Sequence, residues 1–290
     1  GTQSDFAFAA NGADNATKIN VTGSAETTFA AAAVLDVAAV AVDASDATGA
    51  FTFTGTMLTG STVTGSSTAI NTLTLSTTLG TTYTGGAAND VFNVATVADL
   101  VATGANDNKI IGGANTTAAG DNVVLAATTN TLTDNHFTYV SGVETLTTST
   151  STTSITTGGA FNAAFASGAN ITSGTLADTT VYTLAAGLSN SNLTVLIDGT
   201  SLQGTGAGED VNITTGSGDD TVTITGTAFV GATGGDAGAY IVSTGAGADT
   251  ISVSTGTLLS DTTGLSVVIT GGTGADTITK VGTNDESVTT

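Results

Sequence analysis

A short cassette of strand, glycine-aspartate turn and strand occurs three times in the last third of the sequence. The turns are Thr215–Asp220 (TGSGDD), Thr244–Asp249 (TGAGAD) and Gly271–Asp276 (GGTGAD). Their closing aspartates are 29 and then 27 residues apart. A nearly constant period of roughly 20 to 50 residues is typical of stacked repeats. The cassette therefore predicts coils that lie one on another.

Apolar residues flank each turn with a period of two, which is the pattern of a half-buried strand. They lie two and four places before the turn and two places after its last aspartate. If successive coils stack in register, these positions form interior ladders. The predicted ladders are Val211, Tyr240 and Val267 and, beside it, Ile213, Val242 and Ile269. Val222, Ile251 and Ile278 are the apolar residues two places after the aspartates.

The chemistry of the turns indicates a cation. Glycine at turn positions two and four permits backbone conformations in which a side chain would clash. The aspartate adds a carboxylate beside main-chain carbonyls, and calcium takes six to eight such oxygen ligands. Stacked turns would bring Asp220, Asp249 and Asp276 into a column, where interleaved Ca²⁺ would replace repulsion by attraction. The other candidate ligands of these turns are Thr215, Gly216, Gly218, Asp219, Thr244, Gly245, Gly247, Gly271, Gly272 and Gly274.

Weaker relatives of the turn occur earlier in the chain. Residues 85–92 read GGAANDVF and end their turn at Asp90, and residues 206–210 place Gly206 and Gly208 before Asp210. Asp107 and Asp121 follow Asp90 at spacings of 17 and 14 residues, in a glycine-rich region. Asp90, Asp107, Asp121 and Asp210 are therefore further candidate calcium ligands.

These motifs resemble a known family. Gly271–Thr279 matches every fixed position of the nonapeptide of RTX (repeats-in-toxin) proteins, G-G-x-G-x-D-x-U-x, where U is a large apolar residue. The turns at Thr215 and Thr244 depart only at the first glycine. Gly142–Leu146 (GVETL) and Asp43–Phe51 (DASDATGAF) resemble segments of RTX-containing bacterial surface-layer (S-layer) proteins. The resemblance implies an extracellular protein of the bacterial cell surface that tiles with copies of itself in the presence of calcium.

Composition excludes several partners. The net charge is -21, and only three side chains are basic. Such a chain cannot neutralise phosphates, so nucleic acid and anionic membrane surfaces are excluded as partners. No run of 18 apolar residues predicts a membrane-spanning helix. The sequence contains no cysteine, so calcium would replace disulfides as the source of rigidity.

Catalysis is not expected. His136 is the single histidine, no arginine is present, and no nucleophile-elbow motif surrounds a serine. We interpret His136 as a turn or half-buried strand residue. The adjacent carboxylates of Asp219 and Asp220 could suggest a glycosidase, but their place in the repeated turn favours calcium ligation or solvation. The glycine-rich turns lack the lysine and the helix that a phosphate-binding loop requires.

The predicted fold is all-β, an elongated parallel β-solenoid or RTX-like β-roll. Residues 1–200 are expected to form a degenerate solenoid with irregular insertions, and residues 201–290 the calcium-binding array. Within the first part, residues 25–42 are predicted as strand in preference to helix, and residues 192–198 as strand. Residues 147–190 predict further strands without a register. The absence of proline fits coils whose backbone N–H groups all pair.

Three functions are compatible with this fold. The first is a structural segment of a self-assembling bacterial surface layer. The second is an RTX adhesin or an extracellular matrix or filament protein. The third is the non-catalytic roll of a secreted protease or lipase. For the first, the expected partners are other copies of the chain, with a cell-surface glycan or lipopolysaccharide contacted by regions outside these residues.

Overall fold

The fold is built almost entirely from short parallel strands, which confirms the predicted β-solenoid class. The structure is a computed structural model that describes residues 4–8, 16–31, 39–101, 107–126, 130–150, 152–176, 181–199, 210–226, 239–254, 266–281 and 287–289. The strands in chain order are β1 Ser4–Phe8, β2 Lys18–Asn20, β3 Thr27–Ala31, β4 Ala41–Asp43, β5 Phe51–Gly55, β6 Thr62–Thr64, β7 Thr72–Thr74, β8 Thr82–Gly86, β9 Val91–Val94, β10 Lys109–Gly113, β11 Asn122–Leu125, β12 Asn130–Leu132, β13 Val140–Ser141, β14 Thr145–Thr147, β15 Thr152–Thr156, β16 Ala169–Thr172, β17 Val181–Ala185, β18 Leu193–Asp198, β19 Asp210–Thr214, β20 Thr221–Thr225, β21 Ala239–Ser243, β22 Thr250–Ser254, β23 Ser266–Thr270, β24 Thr277–Val281 and β25 Ser287–Thr289.

Helical structure is limited to short segments in the described ranges. These are one α-helix, α1 (Gly159–Ala164), and two 3₁₀ helices, Val97–Asp99 and Asp134–Phe137. None of these helices has the length and apolar character that a membrane crossing requires.

The chain divides into two compact units. Unit 1 comprises residues 1–126, 135–146 and 163–165, and unit 2 comprises residues 127–134, 147–162 and 166–290. The division at residues 200 and 201 that the sequence suggested stays a prediction, but strands β17 and β18 before it pair with β19 and β20 after it. The predicted repeat array is therefore the later part of a longer stack of coils.

Unit 1 contains two parallel sheets, and consecutive strands alternate between them. One sheet has the order β1-β3-β5-β7-β9-β11-β14, and the other has the order β2-β4-β6-β8-β10-β13. Each coil thus gives one strand to each sheet. The ladder Phe29–Phe53–Leu73–Phe92–Val123 lines one inner face, and every member is at most 1% exposed. The Phe29 and Phe53 rings stack with centroids 5.7 Å apart.

Unit 2 has the same two-sheet plan. Its sheets have the orders β16-β18-β20-β22-β24 and β12-β15-β17-β19-β21-β23-β25. The strand register confirms the two predicted ladders, Val211–Tyr240–Val267 and Ile213–Val242–Ile269. It also pairs Val222, Ile251 and Ile278 on adjacent strands. Alternate residues of β20 and β22 are buried, as expected for β-branched strands with one face on a core.

Several local predictions are also decided by the structure. The described parts of residues 25–42 contain strands β3 and β4, while residues 32–38 lie outside the described ranges. Strand β18 is the strand predicted at residues 192–198. The segment 147–190 contains β15, β16 and β17 but also α1, which the sequence analysis did not predict. The Asp134 carboxylate accepts the N–H groups of Ala160 and Phe161 at 3.1 and 2.8 Å. A residue of the earlier 3₁₀ helix Asp134–Phe137 therefore caps the first turn of α1.

Candidate metal centre

The three cassette turns of unit 2 stack directly on one another. Ala246 donates its N–H to the Gly216 carbonyl at 3.0 Å, and Thr273 donates its N–H to the Gly245 carbonyl at 2.8 Å. Gly247 has φ +150°, and a Cβ added there would lie less than 3.0 Å from the Gly218 carbonyl oxygen. The glycines therefore allow the close approach of turns that the sequence predicted. The same approach already engages several turn carbonyls in hydrogen bonds between coils.

The three turn aspartates form the predicted column. Asp249 Oδ1 accepts the main-chain N–H of Asp220 at 2.8 Å, and Asp276 Oδ1 accepts that of Asp249 at 3.1 Å. Asp220 Oδ1 in turn accepts the N–H of Leu193 at 2.8 Å. Asp220 and Asp249 are each only 1% exposed, so their carboxylates lie inside the coil and not on an outer loop. Each carboxylate thus caps the backbone of the preceding coil.

Threonine hydroxyls run beside this column. Thr215 Oγ1 donates to the Thr244 carbonyl, and Thr244 Oγ1 donates to the Gly271 carbonyl, both at 2.8 Å. Both threonines are buried. The first position of the turn, where the nonapeptide has glycine, therefore carries a hydrogen bond between coils.

Unit 1 contains a second acidic column. Asp90 Oδ1 accepts the N–H of Asn71 at 2.7 Å, and Asp121 Oδ1 accepts the N–H of Asp90 at 2.6 Å. Glu144 Oε2 accepts the N–H of Asp121 at 2.9 Å. Sequence analysis placed Asp90 and Asp121 among the candidates but missed Glu144. The GVETL motif was the available signal, although nothing in its sequence indicates which coil the carboxylate would reach.

Four buried carboxylates of the two columns each leave one oxygen without a hydrogen-bond partner. Among the described residues, the Oδ2 atoms of Asp90, Asp121, Asp220 and Asp249 have no hydrogen-bond donor. A buried acceptor that meets no donor is costly. A proton or a cation bound to each of these oxygens would remove this cost.

Burial shifts the acidity of three of these carboxyls. It raises the pKa of Asp121 to about 7. The neighbouring charges of Asp90 and Glu144 raise this pKa further, while the hydrogen bond from the Asp90 N–H lowers it. Burial also raises the pKa of Asp90, where the bonds from Asn71 and the nearby backbone N–H of Gly86 oppose the rise. It raises the pKa of Asp220 too, and the nearby Thr215 hydroxyl offsets part of this effect although its hydrogen goes to the Thr244 carbonyl.

The remaining predicted ligands are placed less closely together. Asp219 is exposed, and its carboxylate accepts the N–H of Ala248 at 2.8 Å. Asp107 is buried just before β10 and is not part of the hydrogen-bonded series of unit 1. Asp210 begins strand β19, while Gly206 and Gly208 lie outside the described residues. Asp276 is half-buried at the last described turn of its column.

The donor set suits a hard cation bound mainly by the backbone. In the described ranges, no three His, Cys, Asp or Glu side chains lie together as a metal-binding group. A calcium ion here would take one carboxylate oxygen from a turn and complete its shell with main-chain carbonyls and water, which calcium accepts. The unpartnered Oδ2 atoms are the side-chain oxygens that fit this role.

The two features that could suggest catalysis, His136 and the pair Asp219 and Asp220, are each described by their own surroundings. His136 is half-buried within the 3₁₀ helix Asp134–Phe137, not in a strand. Asp219 is exposed whereas Asp220 is buried, so these neighbours do not face one common space. The geometry thus places the two carboxylates in different environments.

Comparison with known proteins adds no relative. No protein-family model, no curated protein and no solved structure matches this chain. The resemblance to RTX and surface-layer proteins consequently rests on the motifs alone.

Proposed function

We propose that this chain is a structural segment of a self-assembling bacterial surface layer, an extracellular β-solenoid stabilised by calcium. The observation that carries the proposal is the pair of acidic columns, each with buried carboxylate oxygens that no described donor reaches. Stacked coils joined by hydrogen bonds between successive turns are suited to a mechanical role. The fold alone does not specify that role, so the motif resemblance supplies the cell-surface context.

Charge supports a divalent cation as the missing partner. The chain has 24 acidic and three basic side chains, and the ion pair found in the described residues joins Lys18 to Asp43, neither of which belongs to a column. Carboxylates that follow one another through the interior repel, because like charges interact strongly where water is excluded. Calcium would supply positive charge to Asp220, Asp249 and Asp276 in unit 2 and to Asp90 and Asp121 in unit 1.

Calcium would also provide the rigidity that a secreted protein often takes from disulfides. The chain has no cysteine with which to form one. Extracellular calcium modules bind with dissociation constants of about 10⁻⁴ to 10⁻³ M. Binding to the folded state alone converts ion concentration into folding free energy. We expect the chain to be loosened inside a cell and to become rigid outside it.

The outward faces of unit 2 suit contact between copies. Thr221, Thr250 and Thr277 lie in register on adjacent strands, each partly or fully exposed. Such short side chains allow close lateral packing and present hydroxyl groups without charge. They support an assembly of identical segments, the partner that the surface-layer hypothesis requires.

Electron microscopy of the purified chain with calcium or with EGTA tests this function. Ordered two-dimensional sheets that form with calcium and dissolve with EGTA are the expected result. Filaments or single rods with calcium would favour an adhesin or matrix protein instead. Identical material under both conditions would reject a calcium-dependent assembly.

A further inference from the structure

The outer face of one sheet of unit 1 differs in charge from the chain as a whole. This sheet has the order β2-β4-β6-β8-β10-β13, and the residues along its strands alternate between inner and outer faces. The charged side chains at the outward strand positions are Lys18, Asp43 and Lys109. Two lysines and one aspartate give this face a net charge of +1, whereas the whole chain carries -21.

The two lysines of this face have different surroundings. Lys18 Nζ lies 3.0 Å from Asp43 Oδ2, so its charge is already paired. Lys109 is exposed and lies four strands away in the same sheet, which is about 19 Å at the usual spacing of strands. No carboxylate of the described residues forms an ion pair with Lys109, whose Nζ lies 5.9 Å from the centre of the Tyr139 ring. Lys109 is therefore the cation of this face that a partner can reach.

Large apolar side chains lie beside Lys109. Ile111 is 42% exposed, and Tyr139 is 37% exposed. The buried residues Ile110 and Val140 are in register on β10 and β13, so Lys109, Ile111 and Tyr139 all lie on the outer face. A single exposed apolar residue needs no explanation, but here an isoleucine and a tyrosine adjoin one lysine. We call these three residues the β10 patch.

Uncharged hydroxyl side chains border the β10 patch. Thr82 of β8 is in register with Lys109, and Thr84 is in register with Ile111. On the other side, Ser141 is in register with Ile111. Protein-protein contacts are enriched in aromatic residues and depleted of acidic ones at their centre, and they have a polar rim. The β10 patch and its border have this composition.

Charge identifies the partner of the β10 patch as a second copy of the chain. The chain has 24 acidic and three basic side chains, and its exposed carboxylates include Glu26, Asp46 and Asp219. Two surfaces of this kind repel one another, because like charges brought together at an interface are costly. At the β10 patch an outward lysine attracts a carboxylate instead. The patch is thus the described part of the surface that is complementary to the rest of the molecule.

We propose that the β10 patch is a contact site between copies of this chain. Lys109 pairs with an exposed carboxylate of the neighbouring copy, and Ile111 and Tyr139 pack against the surface around that carboxylate. The Tyr139 ring attracts the ammonium group and orients it before the partner arrives, which reduces the cost of ordering a long side chain on binding. The inference rests on the proposed function and deepens it, because it names a contact that needs no bridging cation.

The test measures self-association of the full chain by sedimentation velocity over a range of concentrations, with calcium and with EGTA. Lys109→Gln is expected to raise the concentration needed for association about tenfold or more, the usual effect of removing a central interface residue. Lys18→Gln is the matched control, which removes the same charge from the same face. It is expected to leave association nearly unchanged, because Lys18 is already paired within the chain.

A second pair of variants tests the apolar part of the β10 patch. Ile111→Ser is expected to weaken association in the same direction as Lys109→Gln. Its control is Ile241→Ser, since Ile241 is an isoleucine of strand β21 in unit 2 that is also 42% exposed. Thermal melting followed by circular dichroism is expected to show nearly unchanged midpoints for all four variants, because each replaces an exposed side chain.

The outcomes separate this inference from the proposed function. Unchanged association of both Lys109→Gln and Ile111→Ser would overturn the inference and leave calcium-dependent assembly intact. Equal association in calcium and in EGTA, weakened by Lys109→Gln, would support the contact and reject dependence on calcium. An unmodified chain that stays monomeric under all conditions would overturn both. A monomeric chain that binds alginate, an acidic polysaccharide, through Lys109 would assign the patch to another partner and also overturn the inference.

Discussion

Asp249 accepts the main-chain N–H of Asp220 across 2.8 Å, although 29 residues separate them in the chain. The bond uses one carboxylate oxygen to fix the stacking of two coils and leaves the other oxygen buried without a described donor. A group that fixes the fold thus also creates a need for positive charge. This coupling is the reason to expect the stability of the chain to depend on calcium.

Calcium is expected to raise the free energy of unfolding. Each site that binds only the folded chain contributes about 2.7 kcal/mol when free calcium exceeds its dissociation constant a hundredfold. Urea unfolding followed by far-ultraviolet circular dichroism, with calcium or with EGTA, measures the difference. Sodium chloride at the same ionic strength is the control for screening. Equal stabilisation by sodium chloride would show that the columns need only a screened environment.

Without metal, stability is expected to fall as the pH rises from about 4 to about 7. The folded-state pKa of Asp121 is raised to about 7, and those of Asp90 and Asp220 are raised as well. A carboxyl with a raised folded pKa keeps its proton in the folded chain after the unfolded chain has lost it, so its contribution declines with rising pH. Urea unfolding in metal-free buffers across this range measures the slope.

Asp43 acts in the opposite direction at lower pH. Its hydrogen bonds from Ser45 and its contact with Lys18 lower its pKa to about 2. Its contribution is present above the unfolded pKa and is lost as the pH falls towards 2. Metal-free stability is therefore expected to be greatest near pH 4. A steady rise from pH 4 to pH 7 in metal-free buffer would contradict the raised pKa values.

Gly247→Ala is expected to destabilise the chain by about 1–3 kcal/mol or more. The position has φ +150°, and the new Cβ would meet the Gly218 carbonyl oxygen. Residues other than glycine in such conformations cost about 1–3 kcal/mol before any clash is counted. The matched control is Gly159→Ala in α1, where nothing lies within 4 Å of the added Cβ. Similar urea midpoints for both variants would show that the turns are not as closely stacked as described.

Thr244→Val is expected to cost about 1–3 kcal/mol, the usual effect of leaving a buried carbonyl without its donor. Valine keeps the shape of threonine but cannot donate to the Gly271 carbonyl. Thr250→Val, at an exposed position of β22, is the control and is expected to change stability by less than about 0.5 kcal/mol. Equal effects of the two substitutions on the free energy of unfolding would show that the hydrogen bond from the Thr244 hydroxyl does not stabilise unit 2.

Much of unit 2 could be predicted because its coils are nearly equal in length. Tyr240 and Val242 precede their turn at the same distances as Val211 and Ile213 precede theirs, so alternation and period together specified the ladder that the structure contains. The column of Asp220, Asp249 and Asp276 followed from the same register. The inward direction of these carboxylates did not follow, because a strand-turn pattern does not show which backbone N–H a turn side chain will meet.

Unit 1 was harder to predict because its coils vary in length. Asn71, Asp90, Asp121 and Glu144 are joined in series although the steps between them are 19, 31 and 23 residues. No period relates these positions, so Glu144 escaped notice and Asp107 was included on spacing alone. Helix α1 was missed for a related reason, since its Asp134 cap lies 26 and 27 residues before the N–H groups that it accepts.

The amino-acid sequence by itself determined the class of fold and the place of the repeated turns. Alternating apolar residues, glycines at the turns and the absence of proline leave stacked parallel coils as the consistent solution. Only the tertiary structure decided which carboxylate caps which coil and which glycines let a carboxylate oxygen approach the backbone closely. Those contacts join residues from different coils, and a coil can change length without changing the strands that stack.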